Sequence, residues 1–223
     1  MRGGDTSPGA VGILCALPGE LGGWAGRGEL ACAEGGFEVR RVYEGGDEVL
    51  TCVGGVGKVA AARAAETLLR AGATRGLLVV GTCGALTRDL SPGDLVHCVL
   101  AIQADFGVRE GREARPDPGL LEAWEQVIEG PRAEFITADR AVLNPWRRWR
   151  ALQGRSGSCV AEMETGAVGA CAAAWGVPWA ALRAVTDRAG AGSAQAFQKR
   201  YPVEAGRAAD TVTRVLARIR ARE

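Results

Sequence analysis

Short apolar runs and longer periodic stretches alternate along the chain, separated by polar, glycine-rich breaks. The short continuous runs read as strands covered on both faces: Val11 to Leu17, Gly76 to Gly81, Leu95 to Ile102 and Trp179 to Val185. Phe37 to Tyr43 and Glu48 to Val53 read as a hairpin turning at Gly45-Gly46-Asp47, and Glu134 to Thr137 as a further short strand. An Ala-rich helix is predicted from Gly54-Gly55-Val56-Gly57-Lys58 to about Ala71, stopped by Gly72, and another over Leu120 to Ile128. Asn144-Pro145 opens a Trp- and Arg-rich helix ending near Gly154. Ala167, Ala170, Cys171 and Ala174 recur at helical spacing, and Ala208, Val212, Val215 and Ile219 share one side of a final helix starting at Val203. Residues 22 to 36, 107 to 119 and 189 to 195 read as loops. Strand and helix alternate without a break in composition, so the pattern predicts one α/β domain over residues 11–223, with a central mixed sheet between helices. Residues 1–10, MRGGDTSPGA, read as a frayed tail.

Composition narrows the chemistry. The chain has 223 residues and is 47% hydrophobic, enough for a sizeable core. A formal charge of +1 supplies no field for nucleic acid or anionic membrane, so neither is an expected partner. Arg147, Arg148 and Arg150 with Trp146 and Trp149 accordingly read as a solvated helix face with buried tryptophans. The seven cysteines form no C-x-x-C pair and read as buried free thiols in a reducing compartment. With no spanning segment and no convincing leader pattern, the expected location is the cytoplasm. The single histidine, His97, argues against a His-based zinc site or a Ser-His-Asp triad, and no metal or cofactor is expected.

Candidate chemistry concentrates in Val160 to Asp187, VAEMETGAVGACAAAWGVPWAALRAVTD. Glu162 and Glu164 lie at a helix start, where the helix dipole favours carboxylates. The strand behind it carries one charge, Arg183, and delivers Thr186-Asp187 at its carboxyl end, the edge where open α/β sheets bind ligands. Gly81-Thr82-Cys83-Gly84 follows another buried strand; its N–H groups and hydroxyl suit an anion or a water, or the segment is a glycine-bounded turn. Gly54 to Lys58 is not a P-loop, because Cys52 and Val59 stand where that motif needs Gly and Ser or Thr. Its glycines read as a tight strand-to-helix entry.

EMET before a helix, then LRAVTD, resembles the corresponding blocks of the nucleoside phosphorylase/nucleosidase family, and the nearest motif match is the methylthioadenosine/S-adenosylhomocysteine nucleosidase type. VGGVGKVAAA, GTCGAL and ALPGEL are similar to further blocks, so the resemblance spans about Val11 to Asp187. It implies a three-layer α/β/α sandwich and cleavage of the N-ribosidic bond of a purine-type nucleoside. By resemblance Asp187 is the general acid on the base. Glu164 binds the ribose hydroxyls above Met163, and Glu20, Thr82 and Arg183 position the nucleophile. Gly84 lies in the same segment as Thr82. In FITADRAVLN the base-binding positions fall on Ala141 and Val142, where the family often has a stacking ring. Water is the favoured nucleophile, since the Glu20 carboxylate would repel phosphate. Phosphorolysis, with inorganic phosphate as co-substrate and Arg88 and Arg109 as candidate cations, is the alternative; a non-catalytic nucleoside-binding protein is another. The resemblance also implies a homo-oligomer, a dimer.

Overall fold

The computed structural model describes residues 9–108 and 110–222; most of the expected tail (residues 1–8) and Arg109 lie outside them. Among the described residues the strands are β1 (Val11–Cys15), β2 (Glu29–Glu34), β3 (Phe37–Glu44), β4 (Asp47–Val53), β5 (Gly76–Ala85), β6 (Leu95–Gln103), β7 (Glu113–Ala114), β8 (Arg132–Thr137), β9 (Cys159–Glu162) and β10 (Trp179–Asp187). The helices are α1 (Lys58–Arg70), α2 (Pro118–Glu125), α3 (Pro145–Ala151), α4 (Thr165–Trp175), α5 (Ser193–Glu204) and α6 (Val212–Arg220).

The sheet is mixed and runs β10-β6-β8-β9-β5-β1-β4-β3-β2. β10 also pairs in parallel with β5, which closes β5, β10, β6, β8 and β9 into a ring. The α/β sandwich is therefore a twisted sheet at one end and a small barrel at the other. Two apolar layers hold it. On one face, Ala61, Ala64 and Leu68 of α1 pack with Val168 and Ala172 of α4. On the other, Leu120 and Trp124 of α2 pack with Val212, Val215 and Leu216 of α6 and with Trp24. Each fully buried aliphatic side chain of α6 contributes roughly 1.5–3 kcal/mol.

Local sequence explains the element ends that frame the central stretch. Gly176 closes α4 in the left-handed conformation, φ +66°. Asn144 opens α3 by accepting the Arg147 N–H at 2.9 Å, with Pro145 in the first turn. Ala10 is buried and donates its N–H to the Gly72 carbonyl at 3.0 Å.

Several expectations are corrected. Residues 29–34 are not loop: they form β2, an edge strand whose conformation comes from pairing with β3. Within residues 107–119, β7 pairs with β6. The final helix starts at Val212, after α5 and a short 3-10 turn, Ala209–Thr211. The tryptophans of α3 are not buried: Trp146 and Trp149 are 60% and 59% exposed, and α3 buries no residue. Of the α4 stripe, Ala167 is buried, Ala170 and Cys171 are half-buried and Ala174 is exposed, while Thr165, Val168, Gly169 and Ala172 are buried as well.

Candidate active site

The carboxyl end of β10 opens into a cavity of about 1290 Å3. Nine residues singled out in the sequence line it: Glu20, Thr82, Gly84, Ala141, Val142, Met163, Glu164, Arg183 and Asp187. Register brings the strand-borne ones together, with Ala184 of β10 beside Thr82, Asp187 beside Gly84, and Gly84 beside Ala161 of β9.

Glu20 sits in a 3-10 segment, Pro18–Trp24, that folds back against β5. Its Oε2 accepts the N–H groups of Ala16 and Leu17, both at 3.0 Å, and its Oε1 accepts Thr82 N–H at 2.9 Å and Thr82 Oγ1 at 2.8 Å. Four donors fix a buried carboxylate whose counter-cation is not in direct contact. The approach needs Gly81: its φ is +154°, and a Cβ there would lie 2.9 Å from Glu20 Oε1 and 3.0 Å from Arg183 Nη1.

Arg183 is fully occupied by the protein. Nη1 donates to the Thr82 carbonyl at 2.9 Å, and Nε to Thr165 Oγ1 at 3.2 Å. Nη2 lies 3.0 Å from both Glu162 Oε2 and Glu164 Oε2. Glu162 is the partner that sequence reading missed, since only long-range pairing sets it against Arg183. Its Oε2 accepts the N–H groups of Glu164 at 2.9 Å and Thr165 at 2.7 Å, which caps α4, and its Oε1 accepts the Thr137 hydroxyl.

Glu164 Oε1 accepts the Gly57 N–H at 3.0 Å, so the glycine turn before α1 aims a backbone donor into the cavity besides turning the chain. Burial pushes the Glu164 pKa up, opposed by Arg183 and reinforced by Glu162. Asp187 is held differently. Its Oδ2 accepts Thr186 Oγ1 at 2.8 Å, and among the described residues no cation pairs with it. Burial raises its pKa, partly offset by that hydroxyl. Gly84 leaves space for it: a Cβ there would stand 3.0 Å from Asp187 Oδ1. Cys83 also lines the cavity, but burial raises its pKa and keeps the thiol protonated and unreactive.

The outer part of the cavity is built from residues the sequence did not connect with it. Phe106, Trp146, Trp149 and Phe197 supply aromatic surface. Ala141 has no ring, and its carbonyl accepts Arg147 Nη1 at 3.0 Å. The Trp-x-x-Trp spacing of α3 puts both rings on one helical side, a signal that composition alone assigned to the core. Arg88 is not there; it lines a separate cleft. No group of three His, Cys, Asp or Glu able to hold a metal occurs among the described residues, and no helix there is long and apolar enough to cross a membrane.

The family model described as the Phosphorylase superfamily matches residues 10–217. The 5′-methylthioadenosine/S-adenosylhomocysteine nucleosidase of Mycobacterium tuberculosis is 27% identical over 251 residues, covering 94% of this chain and 96% of that protein. The protein of the same name from Chromohalobacter salexigens is 29% identical over 177 residues, covering 69% of this chain and 72% of that protein. Among solved structures, a mutant Helicobacter pylori nucleosidase with 5′-methylthioadenosine in its active site superposes with a TM-score of 0.86 at 20% identity, covering 94% of this chain and 98% of that one. The futalosine hydrolase of Helicobacter pylori superposes at 0.87, also at 20% identity and the same coverage. These superpositions match the three-layer sandwich fold.

Proposed function

The chain belongs to the phosphorylase superfamily, and from that premise we propose that it hydrolyses the N-ribosidic bond of a purine-type nucleoside, adenosyl or 5′-modified, releasing the free base and the sugar. The observation that carries this reading is the single cavity shared by the unpaired Asp187 carboxyl and the Glu164 carboxylate. Asp187 is the acid. As the bond from C1′ to the base nitrogen breaks, its electron pair moves into the heterocycle, and Asp187 donates a proton to a ring nitrogen. The ribosyl group becomes oxocarbenium-like. Glu164 accepts hydrogen bonds from the cis-diol, and Met163 packs under the sugar. A water held by Glu20 and Thr82 forms the new bond to C1′ and yields its proton to Glu20. Arg183 touches no reacting atom; it positions Glu164 and the Thr82 carbonyl. Val142 and Ala141 border the base.

Water is favoured over phosphate by charge. The pocket beside Thr82 holds the Glu20 carboxylate, and its cation, Arg183, is already neutralised by Glu162 and Glu164. A phosphate dianion there would meet net negative charge at close range. On this reading no cofactor is needed, and phosphate is not a co-substrate.

The whole described chain is one domain, and the enzyme works in the cytoplasm as a homodimer. Val56 and Phe106, exposed at the cavity rim, with Val59 and Val108 nearby in the chain, support an apolar face for a second copy. Light scattering on the purified protein tests this: a monomeric mass overturns it. The function itself is tested by base release over a panel of purine nucleosides with and without phosphate. Release in phosphate-free buffer is expected; strict dependence on phosphate would establish phosphorolysis instead.

A further inference from the structure

A separate cleft of about 520 Å3 is lined by Arg88, Arg148 and Arg188. Arg88 follows β5, Arg148 lies on α3, and Arg188 comes immediately after Asp187. None of the three makes an ion pair among the described residues. Their bonds go to neutral acceptors: Arg148 Nη1 to the Ala189 carbonyl at 2.9 Å, Arg188 Nη1 to the Arg88 carbonyl at 3.5 Å, and Arg188 Nη2 to Ser91 Oγ at 3.2 Å.

Acids close in sequence are turned elsewhere. Asp89 accepts the Ser158 hydroxyl, Asp94 Oδ2 accepts the Ser91 N–H at 2.7 Å, and Asp187 accepts Thr186. Other arginines of this chain do find carboxylates; Asp47 alone takes both Arg75 and Arg220. Three unneutralised guanidiniums face one cleft, with Arg148 and Arg188 held by neutral acceptors, and their like charges would be offset by an anion lying between them. Their planar forks match the oxygens of phosphate.

We propose that this cleft binds an oxyanion of the phosphate class outside the catalytic cavity, and that the anion ties α3 to the strand end bearing Asp187. The link runs through Arg148, whose bond to Ala189 already joins α3 to a residue lining the catalytic cavity. Because α3 packs only through partly buried residues such as Ala151, an anion shared with Arg88 and Arg188 adds anchorage beyond that packing. The expected consequence is tighter nucleoside binding without participation of the anion in bond cleavage.

The test is thermal unfolding of the native protein and of Arg88→Glu, titrated with inorganic phosphate against chloride of equal ionic strength. The Arg88 side chain has no hydrogen-bond partner among the described residues, so this variant keeps the fold. Native protein should gain about 3 °C at roughly ten times the dissociation constant, and Arg88→Glu should gain nothing. A parallel titration with ribose 5-phosphate separates the sources: a larger gain assigns the site to a phosphorylated metabolite, an equal one to free phosphate. An equal gain in both proteins, or none beyond chloride in native protein, overturns the site. Phosphate should also lower the nucleoside KM of native protein severalfold but not that of Arg88→Glu. A KM indifferent to phosphate while the midpoint rises overturns the link to α3. Both unfolding readouts stand even if the nucleoside reading fails.

Discussion

The two ends of the catalytic cavity are built on opposite principles. At the inner end, Glu20, Glu162, Glu164 and Arg183 hang from buried strand and helix ends, and each is held by several bonds of 2.7–3.2 Å. At the outer end, Trp146, Trp149 and Arg150 stand on a two-turn helix with no buried residue. On the proposed mechanism, chemistry that needs fixed charge sits where packing over-determines position, and recognition of substrate bulk sits where side chains can change without disturbing a core. Within the inner end, Asp187 is the exception, with one hydroxyl and, among the described residues, no cation, and on the proposed mechanism that isolation keeps its proton available.

The contrast can be broken most sharply at Asp187. Asp187→Asn keeps the shape but has no proton to give, so turnover should fall by about 10³-fold with KM little changed. A variant retaining near-native turnover would remove the acid from this position. Arg183→Leu attacks the charge network instead. It strands Glu162 and Glu164 in a buried site, and denaturant unfolding should show a loss of about 3–5 kcal/mol. Equal stability would mean that the carboxylates relax freely.

The pH profile gives a graded test. The Asp187 pKa is raised by burial, and on the proposed mechanism the protonated form is the active one, so kcat/KM should decline as pH rises through that raised value. The sign for folding is the same. Asp187 and Glu164 have raised values in the folded chain, so between the unfolded and folded pKa the folded chain binds more protons; their contribution to stability is full below the unfolded carboxyl pKa and is lost as pH rises through the folded values. A rate profile flat across that window would exclude Asp187 as donor. The smallest effect belongs to the outer end: Trp146→Ala should raise KM by about 2–10-fold, with kcat and unfolding midpoint unchanged, measured by steady-state kinetics and thermal melts.

What could be read in advance followed the same division. β1, β5, β6 and β10 were legible because buried strands are continuous apolar runs, and the carboxyl end of β10 pointed to the site. β2, ELACAE, was not, since an exposed edge strand between charges has no local signature and exists through its partner. α5, SAQAFQKRYPVE, carries Pro202 and no clear apolar stripe, so its helical state rests on packing against β10, yet it brings Phe197 to the cavity. Glu162 looked like a capping charge and is one; its ion pair with Arg183 depends on a strand crossing that no local pattern encodes.

The closed ring of strands has a consequence for motion. β10 is bonded on one flank to β5 and on the other to β6, so Leu182 to Ala184 have backbone neighbours on both sides. Amide exchange there should require opening of the whole molecule, whereas the amides of α3 can exchange through local breathing. The floor of the site is thereby expected to be a slow clock and its roof a fast one: on the proposed mechanism, nucleosides would pass at the pace of α3 while Asp187 keeps its aim.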